Sequence, residues 1–592
     1  MGERINENAF SEQSREYKLA RSVMNPFIER IVCFVTESVQ SAFDVELAQC
    51  EIEKLIEVPP DYKMGDYALP CFILAKQVKR SPQMIAEKLG VGFEADEYIK
   101  NVVTTGPYLN FFVNRSMFIR HVLHSIDREK DGFGTSDEGE GKCVVVDYSS
   151  PNIAKHLAVH HMRSALIGRA IYNLYGALGY ECCGINHLGD WGTQFGKLIV
   201  AYKKWGGEET PSDIETLYKL YVRFHKEAED DPSLEDESRE WFKKLENGDD
   251  ESSELWRLFK DISMKEFDKI YDMLGITFDY YTGESFYNGM LDDTVERLKE
   301  SGLLELSDNA QVVNLDKYNM PPCLIRKSDD ASLYATRDIC AAEYRKREFA
   351  FDKMVYVVGS EQKLHFKQFK KVLELMGYEW QDECYHVDFG LVKFKDEKMS
   401  TRKGKVVLLE DLLNESISRA REIIKEKNPD LDGRDEIADA VGIGAIIFSD
   451  LKNKRIKDVN FDWDEILNFD GETGPYVQYT HARLCSIIRK YGKNPDIGAD
   501  PELLNEDEEF LLVKKLEQYP LAIKRAADVF EPSILVGHLL EICSSLNRYY
   551  NQCRIISDDS SLTDSRIVLI DCVRQVIKNG LLMIGMRPPD RM

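Results

Sequence analysis

Long apolar runs are absent from this chain. No stretch approaches the roughly 18–20 consecutive apolar residues of a membrane span, so no spanning helix is expected. The opening MGERINENAFSEQ is polar and has no apolar core, which argues against a secretory signal. The 13 cysteines are odd in number, scattered and without a Cys-x-x-Cys pair, and Cys182 and Cys183 are neighbours unlikely to bridge. A disulfide framework and a zinc ribbon are therefore not expected; reduced thiols in a cytoplasmic protein are. Basic charge is also in short supply, with 77 Lys+Arg against 103 Asp+Glu and a net charge of −26. That excludes a protein whose whole surface binds nucleic acid, and leaves open a local basic face. No internal repeat is visible, so a solenoid is not expected.

What is present is ordinary soluble composition, 43% hydrophobic and 30% charged. The 592 residues exceed the ~250–300 that one core supports, which predicts three or four domains. Up to about residue 130 the pattern is α+β: a helix over Tyr17–Phe43, a second over Ala75–Leu89, a strand in GPYLNFFVN and a helix over Ser116–Ile126. The Gly- and Asp-rich DGFGTSDEGEGK is a boundary. CVVVDYSS then reads as a buried parallel strand, SPNIAK as a loop, His160–Leu178 as a helix and GYECCGINHLGDWG as a second strand and loop. Strand, loop, helix, strand is the doubly wound signature, and ligands bind beyond the carboxyl ends of such strands. Residues 206–253 are dense in Asp and Glu and read as a solvated insertion. The pattern resumes at Val355–Gly377; Cys384–Leu413 reads as hairpin strands around a basic loop, and the chain beyond about Glu436 as a helical bundle. The expected architecture is multidomain α/β: an N-terminal α+β domain (1–130), a doubly wound Rossmann-type catalytic domain (140–380), a connecting segment (381–460) and a C-terminal all-α helical bundle (461–592).

Three segments carry chemistry. KMSTRKGK gathers Lys398, Arg402, Lys403 and Lys405 in one loop, suited to a polyphosphate whose charge grows during nucleotidyl transfer. SSPNIAKHLAVHHMRS joins strand to helix, offering free N–H groups and the positive end of a helix dipole, with Lys155 and His161 beside them. DASLYATRD sets Tyr334 and Asp338 one helical turn apart, where a phenol and a carboxylate can clamp a cationic side chain such as a guanidinium. Taken singly, each is as readily a solvated turn, a capped helix or a surface pair.

Together with NHLGDWGTQFGKL, VGSEQKLHF, TGPYVQYTHAR, GDYA and the terminal MRPPDRM, these segments resemble arginyl-tRNA synthetases, in order and over essentially the whole chain. The resemblance implies an ATP-dependent class I ligase that activates L-arginine and charges tRNA(Arg), with ATP and Mg²⁺ required. It implies that Asp147 and Asn152 hold the arginine backbone groups and that Tyr334, Asp338 and Gln362 read the guanidinium. It places His161 at the second histidine of the HIGH motif, puts Lys398, Met399, Ser400 and Arg402 in the KMSKS loop, and lets Lys155 assist at the α-phosphate. His160 and His161 fall where ATP binds. Asn110, Gln478, Tyr479 and Arg483 fall in segments that touch tRNA, the last three in the anticodon-binding bundle. A monomer is the default expectation, and no metal site is expected in the protein itself.

The sequence departs from that family at the nucleotide. HIGH reads here as Ala158, Val159, His160, His161, so the first histidine is an alanine and the glycine a histidine. Asp330 stands where a glycine is usual. Either the chain is a working synthetase with a repacked nucleotide site, in which His156 or His160 replaces the lost ligand, or it is a divergent copy that binds arginine or tRNA but activates poorly.

Overall fold

The computed structural model describes residues 25–59, 61–207, 211, 213–307, 310–326, 334–394 and 407–592, the side chain of Tyr334 excepted. The N-terminal unit sets helices α1 (Pro26–Phe43) and α2 (Pro82–Val91) against an antiparallel sheet of β1 (Tyr67–Pro70), β2 (Ile99–Thr105) and β3 (Tyr108–Val113), in the order β1-β3-β2. Asn25 caps α1 by accepting the Phe27 N–H, and Pro26 takes the first helical position. The earlier part of the helix expected from Tyr17 lies outside the described residues. The single helix expected over Ala75–Leu89 is two, because Lys79 adopts a left-handed conformation and Ser81 with Pro82 starts a new helix.

Helix α3 (Arg115–Glu129) leads to a four-stranded parallel sheet. Its first strand, β4 (Cys143–Asp147), passes through α4 (Val159–Ala177) to β5 (Glu181–Ile185). Val144, Val145 and Val146 are fully buried, as expected of a strand covered on both faces; each such burial stabilises by about 1.5–3 kcal/mol. After β5 come α5 (Thr193–Trp205), α6 (Ile214–Asp230), α7 (Ser233–Glu246) and α8 (Asp250–Leu274). The acidic insertion is thus largely helical, and its charge conceals an inner stripe: Leu217, Phe224, Trp241 and Leu245 are buried.

Next come α9 (Leu291–Glu300), an antiparallel sheet of β6 (Leu304–Ser307), β7 (Ala310–Val313) and β8 (Cys323–Arg326), and α10 (Tyr334–Phe349). The main sheet is completed by β9 (Lys353–Tyr356), α11 (Lys363–Leu375) and β10 (Cys384–His386). Its order, β10-β9-β4-β5, reverses direction between β4 and β9, and the crevice beyond their carboxyl ends is the topological switch point. The expected hairpin over Cys384–Leu413 is not formed by the described residues. Instead β10 pairs parallel with β9, while β11 (Val392–Phe394) pairs parallel with β12 (Val459–Phe461), reached after α12 (Leu409–Lys427) and α13 (Arg434–Leu451).

The C-terminal bundle comprises α14 (Gly474–Tyr491), α15 (Asp507–Glu517), α16 (Tyr519–Asp528), α17 (Ser533–Gln552) and α18 (Ser560–Met583). The N-terminal unit docks on it through Phe118 against Phe510, at 5.6 Å between ring centroids, and a buried ion pair of Asp66 with Lys514 at 2.9 Å.

Candidate active site

Beyond β4 the loop 148–158 is held in costly conformations. Ser149, Ser150 and Ala154 have φ of 70°, 49° and 61°, each worth roughly 1–3 kcal/mol of strain outside glycine. Its hydrogen bonds oppose that strain. Ser164 Oγ accepts from the Ser149 N–H at 2.9 Å and donates to the Val357 carbonyl at 2.7 Å, tying the loop to α4 and the end of β9. Ser263 Oγ accepts from the Ala154 N–H at 2.8 Å, tying it to α8. The segment also pairs with the loop after β5, where the Gly189 N–H donates to Pro151 O at 2.9 Å and the Ile153 N–H to Gly189 O at 3.3 Å. A Cβ at Gly189 would lie 2.0 Å from Asn152 Oδ1, so any other residue here would displace the Asn152 amide. Asn152 itself is exposed.

At the first turn of α4, Ala158 offers no side-chain acceptor, and its own N–H donates to His161 Nδ1 at 3.0 Å. Because Nδ1 accepts, the ring hydrogen is on Nε2. Burial, aided by the neighbouring His160 and Lys155, lowers the His161 pKa to about 3, so this imidazole is neutral and presents Nε2–H as a donor. His160 is exposed, its ring centroid 3.9 Å from that of His161. His156 pairs with Glu215 of α6 at 3.0 Å, and the Lys155 ammonium lies 5.4 Å from the Tyr221 ring. The insertion therefore packs directly against this loop and pairs with His156. On the other side the Val159 N–H donates to Val407 O at 3.1 Å and the Leu409 N–H to Leu157 O at 2.9 Å. The described chain thus resumes beside α4; Lys398, Met399, Ser400, Arg402 and Asp330 lie outside the described residues.

The opposite side of the crevice is made of ion pairs. Asp147, at the end of β4, is 6% exposed; it bonds Arg345 at 2.8 Å and accepts from Ser150 Oγ at 2.8 Å. Asp338 bonds His365 Nε2 at 2.5 Å. Burial alone would lower the His365 pKa, but the hydrogen bond and charge of Asp338 outweigh it and raise it. Glu284 lies 3.9 Å from Arg337, and burial, with the charges of Asp190 and Asp338, pushes its carboxyl up to about 7. The charges of Asp338 and Asp147 both reach the buried Tyr356 hydroxyl, so the two carboxylates face one region. Tyr334 opens α10 one turn before Asp338, and Gln362 ends the exposed short helix Ser360–Gln362 after β9.

Two expected RNA contacts are corrected by burial. Gln478 is 0% exposed; its amide donates to Ala440 O at 2.9 Å and Arg587 O at 2.8 Å, joining α13 and the C-terminal tail to α14. Asn110 is 3% exposed on the central strand β3. A motif match specifies a position but not the direction of its side chain. Tyr479 is 45% exposed, and Arg483 stacks on Tyr550 with its guanidinium 3.7 Å from the ring centroid, so these two remain at the surface.

The sequence reading missed Arg345, Glu284, His365 and Glu215. For Arg345 a signal existed: it lies two turns past Asp338 on the same helix face. Glu284 and Glu215 carried none, since their relevance comes from distant packing.

Comparison with known proteins agrees with this geometry. The family described as tRNA synthetases class I (R), catalytic domain, matches residues 124–463. The DALR anticodon binding domain matches residues 477–592, and the arginyl tRNA synthetase N terminal domain matches 33–113. The arginine–tRNA ligase of Halothermothrix orenii is 47% identical over 96% of this chain and all of its own length. That of Clostridium botulinum (strain Alaska E43) is 51% identical over 93% of this chain and 98% of its own. Among solved structures, the Thermus thermophilus arginyl-tRNA synthetase superposes with a TM-score of 0.78, at 26% identity, over 95% of this chain and 100% of that one.

Proposed function

The chain belongs to the arginyl-tRNA synthetases, and from that premise we propose how its residues divide the work of an arginine–tRNA ligase. In the first step a carboxylate oxygen of arginine attacks the α-phosphorus of ATP, the bond to the bridging oxygen breaks, and pyrophosphate leaves. In the second step a hydroxyl of the terminal adenosine of tRNA(Arg) attacks the arginyl carbonyl and AMP leaves. No covalent enzyme intermediate is needed; catalysis is positioning and charge stabilisation.

The observation that carries the assignment is the double pairing of the loop after β4, to Gly189 on one side and to Val407–Leu409 on the other. It brings the loop after β4, the loop after β5 and the start of α12 together at the switch point. His161 Nε2–H donates to a phosphate oxygen, and His160 supplies a second ring at the nucleotide. Lys155 leaves Tyr221 to meet the α-phosphate, and we assign Lys398, Met399, Ser400 and Arg402 to the remaining phosphates. Asn152 and Asp147 hold the arginine backbone groups, while Asp338, Tyr334 and Gln362 take the guanidinium, with Glu284 a further carboxylate. Asp190 is committed to Lys260 and Ser285, while Asp147, bonded to Arg345 and Ser150, keeps acceptor capacity for the arginine ammonium. Magnesium enters as counter-ion of the triphosphate, and we assign it no protein ligand. Tyr479 and Arg483 contact the anticodon arm. Among the described residues no helix is long and apolar enough to cross a membrane; we take the enzyme to work in the cytoplasm as a monomer.

The test is acid-precipitable arginyl-tRNA formed from labelled arginine, ATP, Mg²⁺ and tRNA(Arg). Charging by the natural chain is expected. No charging, with activity appearing once Ala158→His and His160→Gly are combined, would instead identify a divergent copy that binds arginine or tRNA for another purpose.

A further inference from the structure

The last residues of the chain run along one face of α14. Gln478, His481, Cys485 and Arg489 recur at helical spacing, and three of them hold successive parts of the tail. Gln478 donates to Arg587 O at 2.8 Å, His481 Nδ1 bonds Pro589 O at 3.0 Å, and Arg489 donates to Asp590 O at 3.1 Å. The fourth, Cys485, has its sulfur 3.6 Å from Asp590 Oδ1 and 3.9 Å from His481 Nε2.

A carbonyl oxygen only accepts, so His481 Nδ1 carries the ring hydrogen and Nε2 keeps the free lone pair, with the Cys485 sulfur 3.9 Å from each ring nitrogen. This is the arrangement a metal-binding histidine adopts, its second nitrogen fixed by a backbone carbonyl. The ligand atoms of His481, Cys485 and Asp590 all lie within 4.8 Å of one another. Around a tetrahedral zinc ion, ligand atoms about 2.0–2.3 Å from the metal are separated by about 3.3–3.8 Å. The sulfur–oxygen separation already meets that range; the sulfur–nitrogen edge, at 3.9 Å, and the nitrogen–oxygen edge, within 4.8 Å, contract when the ion binds. A thiolate and a carboxylate would cancel the charge of a divalent cation. They also offset Arg574, whose charge reaches both His481 and Cys485, and Arg489 beside the thiol.

We propose that His481, Cys485 and Asp590 form a three-ligand site for a divalent cation of the zinc type, with water as fourth ligand, which clamps the C-terminal tail to α14. Neither the expected two-step reaction nor the nucleotide crevice calls for this site. Binding forms a metal–sulfur bond and releases the Cys485 thiol proton to solvent, so affinity rises with pH. The sequence concealed the set because Asp590 is 105 residues from Cys485. The clamp fixes the back of the helix whose outer side carries Tyr479 and Arg483.

The experiment uses the full chain, stripped with a chelator and titrated with Co²⁺. One equivalent should give the visible bands of a tetrahedral ion and a near-ultraviolet thiolate-to-cobalt band. Cys485→Ser should abolish that band. Asp590→Asn, at an exposed position that leaves folding intact, should keep it while weakening affinity by about 10–100-fold or more. Zinc should raise the melting temperature of the natural chain and not of Cys485→Ser. A natural chain without the thiolate band, a band surviving in Cys485→Ser, unchanged affinity in Asp590→Asn, or a zinc shift equal in both proteins would each overturn the site.

Discussion

At the end of the crevice we assign to the amino acid each principal carboxylate already has a cationic partner, Asp147 with Arg345 and Asp338 with His365, whereas the end we assign to the nucleotide presents two imidazoles at a helix start whose Ala158 and Val159 N–H groups are already bonded. The difference follows from the ligands. A guanidinium needs anionic partners, and an anion in a buried pocket needs company until the substrate arrives. A triphosphate brings its own charge and needs neutral or positive groups, which the positive end of a helix dipole and a neutral histidine supply without a buried counter-ion. The first end therefore stores its interactions in stability; the second expresses them in rate.

The largest effect that tests this contrast is at Arg345. Its side chain is 1% exposed, and Arg345→Met leaves the Asp147 carboxylate, 8% exposed, with only Ser150. Breaking a buried pair from one side costs about 3–5 kcal/mol, so the free energy of unfolding from a urea titration should fall by that amount. An unchanged midpoint would show that the pair carries little of the stability assigned to it. At the other end His161→Ala should cost less stability, about 1–3 kcal/mol for the unpaired Ala158 N–H. It should lower kcat for tRNA-dependent ATP–pyrophosphate exchange by about 10²–10³-fold, the usual effect of removing one transition-state donor. Equal losses of stability in the two variants would erase the contrast.

The same contrast explains what the sequence made legible. The nucleotide end was readable because its parts are local: a valine-rich strand, a Pro-Asn loop and a helix start follow one another from Cys143 to Ala177, and the helix predicted from His160 begins at Val159. The amino-acid end was half readable. Asp338 announces itself one turn from Tyr334, but the partners that set its chemistry arrive from α11 and from the Glu284 turn. Long-range pairing was also beyond reach. Periodicity marks Val392–Phe394 as extended without naming its partner, and the partner, Val459–Phe461, lies past two helices.

A middle-sized effect comes from pH. Below its raised pKa His365 is an imidazolium that occupies Asp338; above it Asp338 is released to a guanidinium. Glu284, pushed up to about 7, gains its charge as pH rises through that value. Both changes favour arginine as pH rises, so KM for arginine should fall between about pH 6 and 8, by up to about tenfold per pKa unit traversed. The linkage on folding has the opposite sign. A histidine with a raised folded pKa contributes its full stability below the unfolded value near 6.5 and loses it as pH rises through the folded value. In the ligand-free chain the Asp338–His365 pair should therefore weaken across the window in which arginine binding improves. His365→Gln should flatten both trends; a KM profile unchanged in that variant would remove His365 from the arginine end.

The smallest effect expected is at the two altered positions of the nucleotide motif. Ala158 is 2% exposed, and its N–H is spent on holding His161 Nδ1, a role that any residue's backbone performs. His160 adds an exposed ring beside His161 at the start of the same helix. Restoring the family pattern with Ala158→His and His160→Gly gives one imidazole and removes another, while the helix start, the loop and His161 are untouched. The expected change in kcat/KM for ATP is less than about tenfold, or under roughly 1.4 kcal/mol of transition-state binding. If the double variant instead gained 100-fold or more, the nucleotide end would not be a repacked equivalent, and the natural chain would be the poorly activating copy.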